Sequence, residues 1–168
     1  MARSDAAPRA AAEAVEGKAL KAASQMTAQD LAQASARAMW QDDHASRHLG
    51  MSLDHIAPGV ATVSMSVVAA MSNGHGTTHG GYIFTLADTA FAFACNSYNQ
   101  RVVAQHCAIS FLIPSRIGDR LTATATEVSR RGRSGIYDVR VTNQHSEPVA
   151  EFRGHSRVVQ GTHLPLEE

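Results

Sequence analysis

The rhythm of hydrophobic and polar positions changes three times along the chain. Between residues 27 and 48 apolar side chains recur at helical spacing, at Leu31, Ala34, Ala38 and Met39. Thr27 and Asp30 have the residue types of a helix-start capping pair, and Trp40 is the side chain expected to anchor this helix to the main body. From Gly50 the period falls to two. Residues 51–56 and 60–67 alternate apolar with polar on either side of Pro58-Gly59, which predicts a hairpin. The helical period returns with Phe84, Ala87, Phe91, Ala94 and Cys95 in a segment so apolar that it is expected to be buried. Thr77 or Thr78 is expected to cap its start, and Asn96-Ser97 to end it. Alternation then resumes in 102–112, 121–129, 136–143 and 149–159, separated by turn-length connections. Two strands, a buried helix and four strands predict an α+β fold in which an antiparallel sheet wraps around one helix.

Composition narrows the class. With 168 residues, 44% hydrophobic and 18% charged, the chain has the size and apolar content of one domain with a real core. Residues 1–26, rich in alanine but poor in large apolar side chains, read as a tail. Residues 27–48 form an N-terminal helix and 49–160 the main domain. Fifteen basic residues balance fifteen acidic ones, so bulk charge attracts the protein to neither nucleic acid nor membrane. Cys95 and Cys107 have no disulfide or metal spacing and are expected to be reduced and buried. No apolar run approaches the ~20 residues of a membrane helix. The N-terminus lacks a signal-peptide core, and Asp5, Glu13 and Glu16 count against a transit peptide, so a cytoplasmic location is expected.

Candidate chemistry concentrates where the glycine-rich loop His75–Gly81 runs into the buried helix, which carries a single carboxylate, Asp88. First-turn amides of a helix lack intrahelical partners and point beyond its N-terminus. Gly80 and Gly81 would let a ligand oxygen approach them closely. Asp88 follows Gly80 by eight residues, about 12 Å along the axis, too far for both to act on one carbonyl within a subunit. Two antiparallel copies of the helix would bring the Asp of one beside the glycines of the other, which predicts a composite site in a homodimer. A buried carboxylate is a general base, a nucleophile or a structural group held by backbone donors. His75 and His79 invite a metal reading. Gly76 and the two threonines make that stretch a loop, however, and no third ligand is apparent, so no metal is expected.

Asn73-Gly-His-Gly76, His79-Gly-Gly81 and Phe84-Thr-Leu-Ala-Asp88-Thr-Ala-Phe-Ala-Phe-Ala-Cys-Asn-Ser97, with Ser110-Phe-Leu-Ile-Pro114 and Gly118-Asp119, together resemble the hotdog-fold acyl-CoA thioesterases. More narrowly, they resemble the phenylacetate-degradation (PaaI) thioesterases over about residues 40–160. The resemblance implies the hotdog fold, subunits joined through a continuous sheet into a homodimer, and a dimer of dimers as homotetramer. It implies hydrolysis of an aryl-acyl-CoA, such as phenylacetyl-CoA or hydroxyphenylacetyl-CoA, to free acid and coenzyme A without a cofactor. Asp88 becomes the catalytic carboxylate and the Gly80 amide the oxyanion donor. His79 and Asn73 become the groups that orient water or the thioester carbonyl. Gly81 and Thr89 fall beside the substrate, and Arg130, Arg131, Gly132, Arg133 and Ser134 near the phosphates of coenzyme A. Each has a plainer reading. His79 starts a helix, Asn73 makes a turn with Gly74, Gly81 permits close packing, Thr89 belongs to the core, and the arginines form a solvated hairpin. Two other functions compete, a hotdog enoyl-CoA hydratase or dehydratase and a non-catalytic acyl-CoA sensor. Residues 1–48 contain no basic recognition helix to give a sensor a nucleic-acid output.

Overall fold

The computed structural model describes residues 26–165; the alanine-rich stretch expected to form a tail, and the last three residues, lie outside the described residues. Helix α1 spans Ala28–Asp42. It starts as its sequence predicts, because the Thr27 hydroxyl accepts from the Asp30 N–H at 3.1 Å while the Asp30 carboxylate accepts from the Thr27 N–H at 3.3 Å. Thr27→Ala should therefore cost about 1 kcal/mol, read as a lower midpoint in chemical denaturation with an unchanged slope.

The single helix expected over 27–48 is broken at Asp43, where the backbone leaves helical geometry at ψ 78°. The Asp43 carboxylate accepts from both the amide and the hydroxyl of Ser46, at 2.9 and 2.7 Å. It thereby caps a second short helix, α2 (His44–His48). An aspartate inside a helical pattern competes with the helix for backbone donors, and here it wins. Trp40 does anchor α1, its ring centroid 5.8 Å from that of Phe93 in the core.

The six strands are β1 (Ser52–Ala57), β2 (Val60–Ser66), β3 (Gln100–Phe111), β4 (Arg120–Arg131), β5 (Ser134–Thr142) and β6 (Pro148–Thr162), and helix α3 (Gly80–Asn96) stands between β2 and β3. All neighbouring strands are antiparallel, in the order β1-β2-β4-β5-β6-β3. Alternation sets what faces the helix. Ala61, Val63 and Met65, Leu121, Ala123 and Ala125, Tyr137, Val139 and Val141, and Ala150 and Phe152 are all buried with Leu86, Ala87, Ala90, Phe91 and Ala94 of α3. Small residues on both partners let the sheet curve closely over the helix. The closest approach is at Gly154, where a Cβ would lie 2.8 Å from the Phe91 ring. Phe91 also meets Tyr137 and Phe152, with ring centroids 5.6 and 5.9 Å away.

The helix end is locked to the next strand. Asn96 donates to the Val102 carbonyl and accepts from the Val102 N–H, at 3.1 and 2.8 Å. One side chain thus fixes where β3 begins and which way it runs along the helix.

Candidate active site

The loop before α3 is organised by Asn73. Its side-chain oxygen accepts from the His75 amide at 2.9 Å and the Thr77 amide at 3.3 Å, and its amide group donates to the Thr77 hydroxyl at 3.0 Å. These bonds close the turn that Asn73-Gly74 foreshadows. Thr78 stays extended, its N–H donating to the Ser115 carbonyl at 2.8 Å. Neither threonine therefore caps the helix. His79 does, with Nδ1 accepting from the Gly81 N–H at 3.0 Å. In the neutral ring this bond places the proton on Nε2 and leaves Nε2–H as the remaining donor.

That cap sorts the first-turn amides. The Gly81 N–H is taken by His79 Nδ1 and the Tyr82 N–H by the His79 carbonyl. Among the described residues nothing accepts from the Gly80 N–H. Of these three amides, the one without a partner belongs to Gly80, where the backbone is open to close approach.

Asp88 lies on the side of α3 that the sheet leaves open. Most of the helix is buried, but Gly81, Thr85, Asp88 and Ala92, spaced by four, three and four residues, are only partly covered. That spacing draws one stripe along a helix. Partial burial pushes the Asp88 pKa above the ordinary aspartate range, and a contact from the Cys107 thiol, Sγ to Oδ1 3.8 Å, pulls weakly the other way. The Cys107 thiol is itself pushed up to about 11 by burial and by the neighbouring carboxylate, so it stays protonated and faces Asp88 as a donor.

Strand β3 runs beside this stripe. Cys107 touches Asp88, and Phe111 covers Gly80, where a Cβ would lie 2.8 Å from the ring. Four residues of strand advance about 13 Å, matching about 12 Å for eight residues of helix, so β3 and α3 run alongside each other. Cys107, expected buried, is only partly buried, and neither it nor Phe111 is marked by the sequence as a site residue, although both occupy the same face of an alternating segment. Within this chain Asp88 and Gly80 remain a helix length of two turns apart.

The other expected site residues divide. Thr89 is buried with its hydroxyl 3.3 Å from that of Ser46, so it ties α3 to α2. On the β4–β5 hairpin, Arg130 stacks 3.8 Å over the Tyr98 ring and approaches Glu127 at 3.6 Å. Arg133 donates to the Val158 carbonyl at 3.1 and 2.9 Å. Gly132 turns the hairpin at φ 56°. Arg131 and Ser134 line a cleft with His106 and His155. That cleft shares no residue with the one beside Gly80. A cleft of about 790 Å³ between α1 and β1 contains neither Asp88 nor Gly80. Among the described residues no group of three or more His, Cys, Asp or Glu side chains is arranged to hold a metal ion. No described helix is long and apolar enough to cross a membrane.

Sheet, wrapped helix and glycine-led helix start together have the architecture of a hotdog-fold enzyme. The sequence pattern of the thioesterase superfamily matches residues 75–150. The acyl-coenzyme A thioesterase PaaI of Escherichia coli (strain K12) is 45% identical over 128 residues, covering 76% of this chain and 91% of that protein. The solved structure of the E. coli PaaI protein, from the phenylacetic acid degradation operon, superposes with a TM-score of 0.80 at 43% identity, covering 81% of this chain and 99% of that one. A hypothetical thioesterase from Streptococcus pneumoniae TIGR4, solved with coenzyme A, superposes at 0.64 with 26% identity, covering 67% and 90%. The chain belongs to the thioesterase superfamily, and within it to the PaaI group of hotdog-fold acyl-CoA thioesterases.

Proposed function

We propose that this protein hydrolyses aryl-acyl-CoA thioesters of the phenylacetyl or hydroxyphenylacetyl type to free acid and coenzyme A, in the cytoplasm. Its PaaI relatives carry the acyl-CoA reading. The observation that carries the chemistry is the pairing of the unpartnered Gly80 amide with a part-buried, pKa-raised carboxylate on the open stripe of the same helix. Asp88 takes a proton from water as the water oxygen bonds to the thioester carbon. The carbonyl oxygen, now negative, is held by the Gly80 N–H. Collapse breaks the C–S bond, and the proton passes from Asp88 to the departing sulfur. A raised pKa suits this role, because it brings the base nearer the working pH. His79 sets the geometry of the helix start and offers Nε2–H to the substrate, and Asn73 holds the loop that carries it. Gly81 keeps the approach open. Thr89 steadies the helix beside Asp88. The hairpin Arg130–Ser134 takes the coenzyme A phosphates, with Arg131 the arginine whose charge has no protein partner among the described residues.

The site is completed by a second copy. Among the described residues strand β3 pairs only with β6, and its side chains are largely exposed, Val103 by 48% and Phe111 by 53%. Joining β3 to its symmetry mate would extend the sheet and set the two α3 helices antiparallel. Asp88 of one subunit then approaches Gly80 of the other, and dimers pair into a tetramer. Mixing inactive Asp88→Asn with inactive Gly80→Val after co-refolding should restore up to about a quarter of wild-type activity, because hybrid dimers contain one intact site. No recovery, with hybrid dimers demonstrated by mass spectrometry, would rule out the shared site.

Thiol release from a panel of acyl-CoAs tests the activity itself. Loss of enoyl absorbance without thiol release would favour the hydratase, and tight binding without either would favour the sensor. The pH profile of kcat/KM should rise through a pKa above the ordinary aspartate range, since only ionised Asp88 accepts a proton. A rise centred near pH 4 would remove Asp88 from that role.

A further inference from the structure

The row of β3 side chains facing α3 ends at Phe111, and its ring stands end-on over Gly80. A Cβ built on Gly80 would meet the ring at 2.8 Å, with two further ring carbons at 3.3 Å. This aromatic side chain is nonetheless 53% exposed, beside Leu112 at 51% and Ile113 at 37%. With Gly80, Ile83 and Pro114 these residues line a cleft of about 390 Å³, within the range of small-molecule sites. Its side-chain hydroxyls are already paired. The Ser115 hydroxyl donates to that of Thr78 at 2.8 Å, and the Thr77 hydroxyl is tied to Asn73. No charged side chain lines the cleft. What remains is a largely apolar wall, one phenyl ring and, at its rim, the unpartnered N–H of Gly80.

A ligand suited to such a cleft has one carbonyl oxygen attached to an apolar, preferably aromatic, group. We propose that Phe111 is the residue that determines acyl specificity, its ring packing against the aromatic ring of the acyl group while the carbonyl rests on the Gly80 amide. The inference rests on the thioesterase reading and adds to it the side chain that selects the acyl group. Aromatic pairs gain attraction beyond their buried area when rings meet edge-on or offset. A straight alkyl chain gains burial alone. A methyl at position 80 would meet the Phe111 ring, which would have to shift, as well as crowd the amide.

The experiment compares phenylacetyl-CoA with hexanoyl-CoA in wild type, Phe111→Ala and Phe111→Leu. Each variant's ratio of kcat/KM values is independent of how much of the sample is folded. Removing the ring should lower the aryl-to-alkyl ratio about tenfold, mainly through KM for phenylacetyl-CoA. Phe111→Leu, which keeps apolar bulk, should lower it as well. In the background of Gly80→Ala, adding Phe111→Ala should recover part of the lost hexanoyl-CoA turnover by removing the clash. An unchanged ratio in both variants, or loss of dimer by sedimentation with the ratio intact, would make Phe111 an interface residue and overturn the proposal. A wild-type protein that released thiol from neither substrate would overturn the thioesterase reading itself, and the specificity role with it.

Discussion

Asp88→Asn should lower kcat for thiol release by about 10²–10⁴-fold while leaving the fold intact and no less stable. The two expectations come from one cause. The folded protein raises the Asp88 pKa by burying it, so the native state holds that proton more tightly than the unfolded chain. Stability from this group is then greatest below the unfolded pKa and falls as pH rises through the folded value. At neutral pH the ionised carboxylate is a standing cost to the fold, and the neutral amide removes it. Steady-state thiol release and thermal melting at pH 7 check both halves. A variant with near-normal kcat would exclude Asp88 from the chemistry. A variant that melts well below wild type would make Asp88 a structural residue whose loss of activity follows from loss of fold.

Phe91→Ala is the substitution with the largest expected effect on stability, about 3–5 kcal/mol. The ring is buried, touches Tyr137 and Phe152, and fills the space over Gly154. Removing it leaves a cavity where α3 meets two strands of a sheet already drawn in by alanines, and backbone on both sides prevents collapse. In a domain of this size the midpoint temperature should fall by the order of 10 °C. Phe91→Leu, which keeps most of the volume, should cost less than half as much. A loss below 1 kcal/mol in the alanine variant would mean that the sheet closes over the gap.

Much of this architecture was legible because it is periodic. Val63 and Met65, or Val139 and Val141, declare their shared face by spacing alone. Asn73 was legible as a turn because its bonds run to residues within four positions. The helix start misled for a physical reason. Thr77 and Thr78 are good capping residues by type, but Thr78 is held extended by Ser115, thirty-seven residues away, and the cap passed to His79. The break at Asp43 turned on a local contest between side chain and helix that apolar spacing does not register. Cys107 and Phe111 went unread as site residues since strand parity says which side chains share a face, and only the packing of β3 along α3 says what that face meets. The open stripe through Asp88 was hidden in a helix that looked apolar all round, where Gly81 and Ala92 are small and apolar and the Thr85 hydroxyl bonds back to the Gly81 carbonyl.

The edge of β3, unpaired among the described residues, has a consequence for the life of the nascent subunit. Its twelve residues contain neither lysine nor proline, the residues with which natural sheets discourage unwanted strand addition. Valine, alanine, isoleucine and phenylalanine fill half of it, Arg101 is its one Lys or Arg, and its backbone groups stand ready along one side. A subunit with that edge unmated is a template for any extended chain nearby. Mating with a second copy, as proposed above, would cover that edge and so guard against aggregation as well as complete the site.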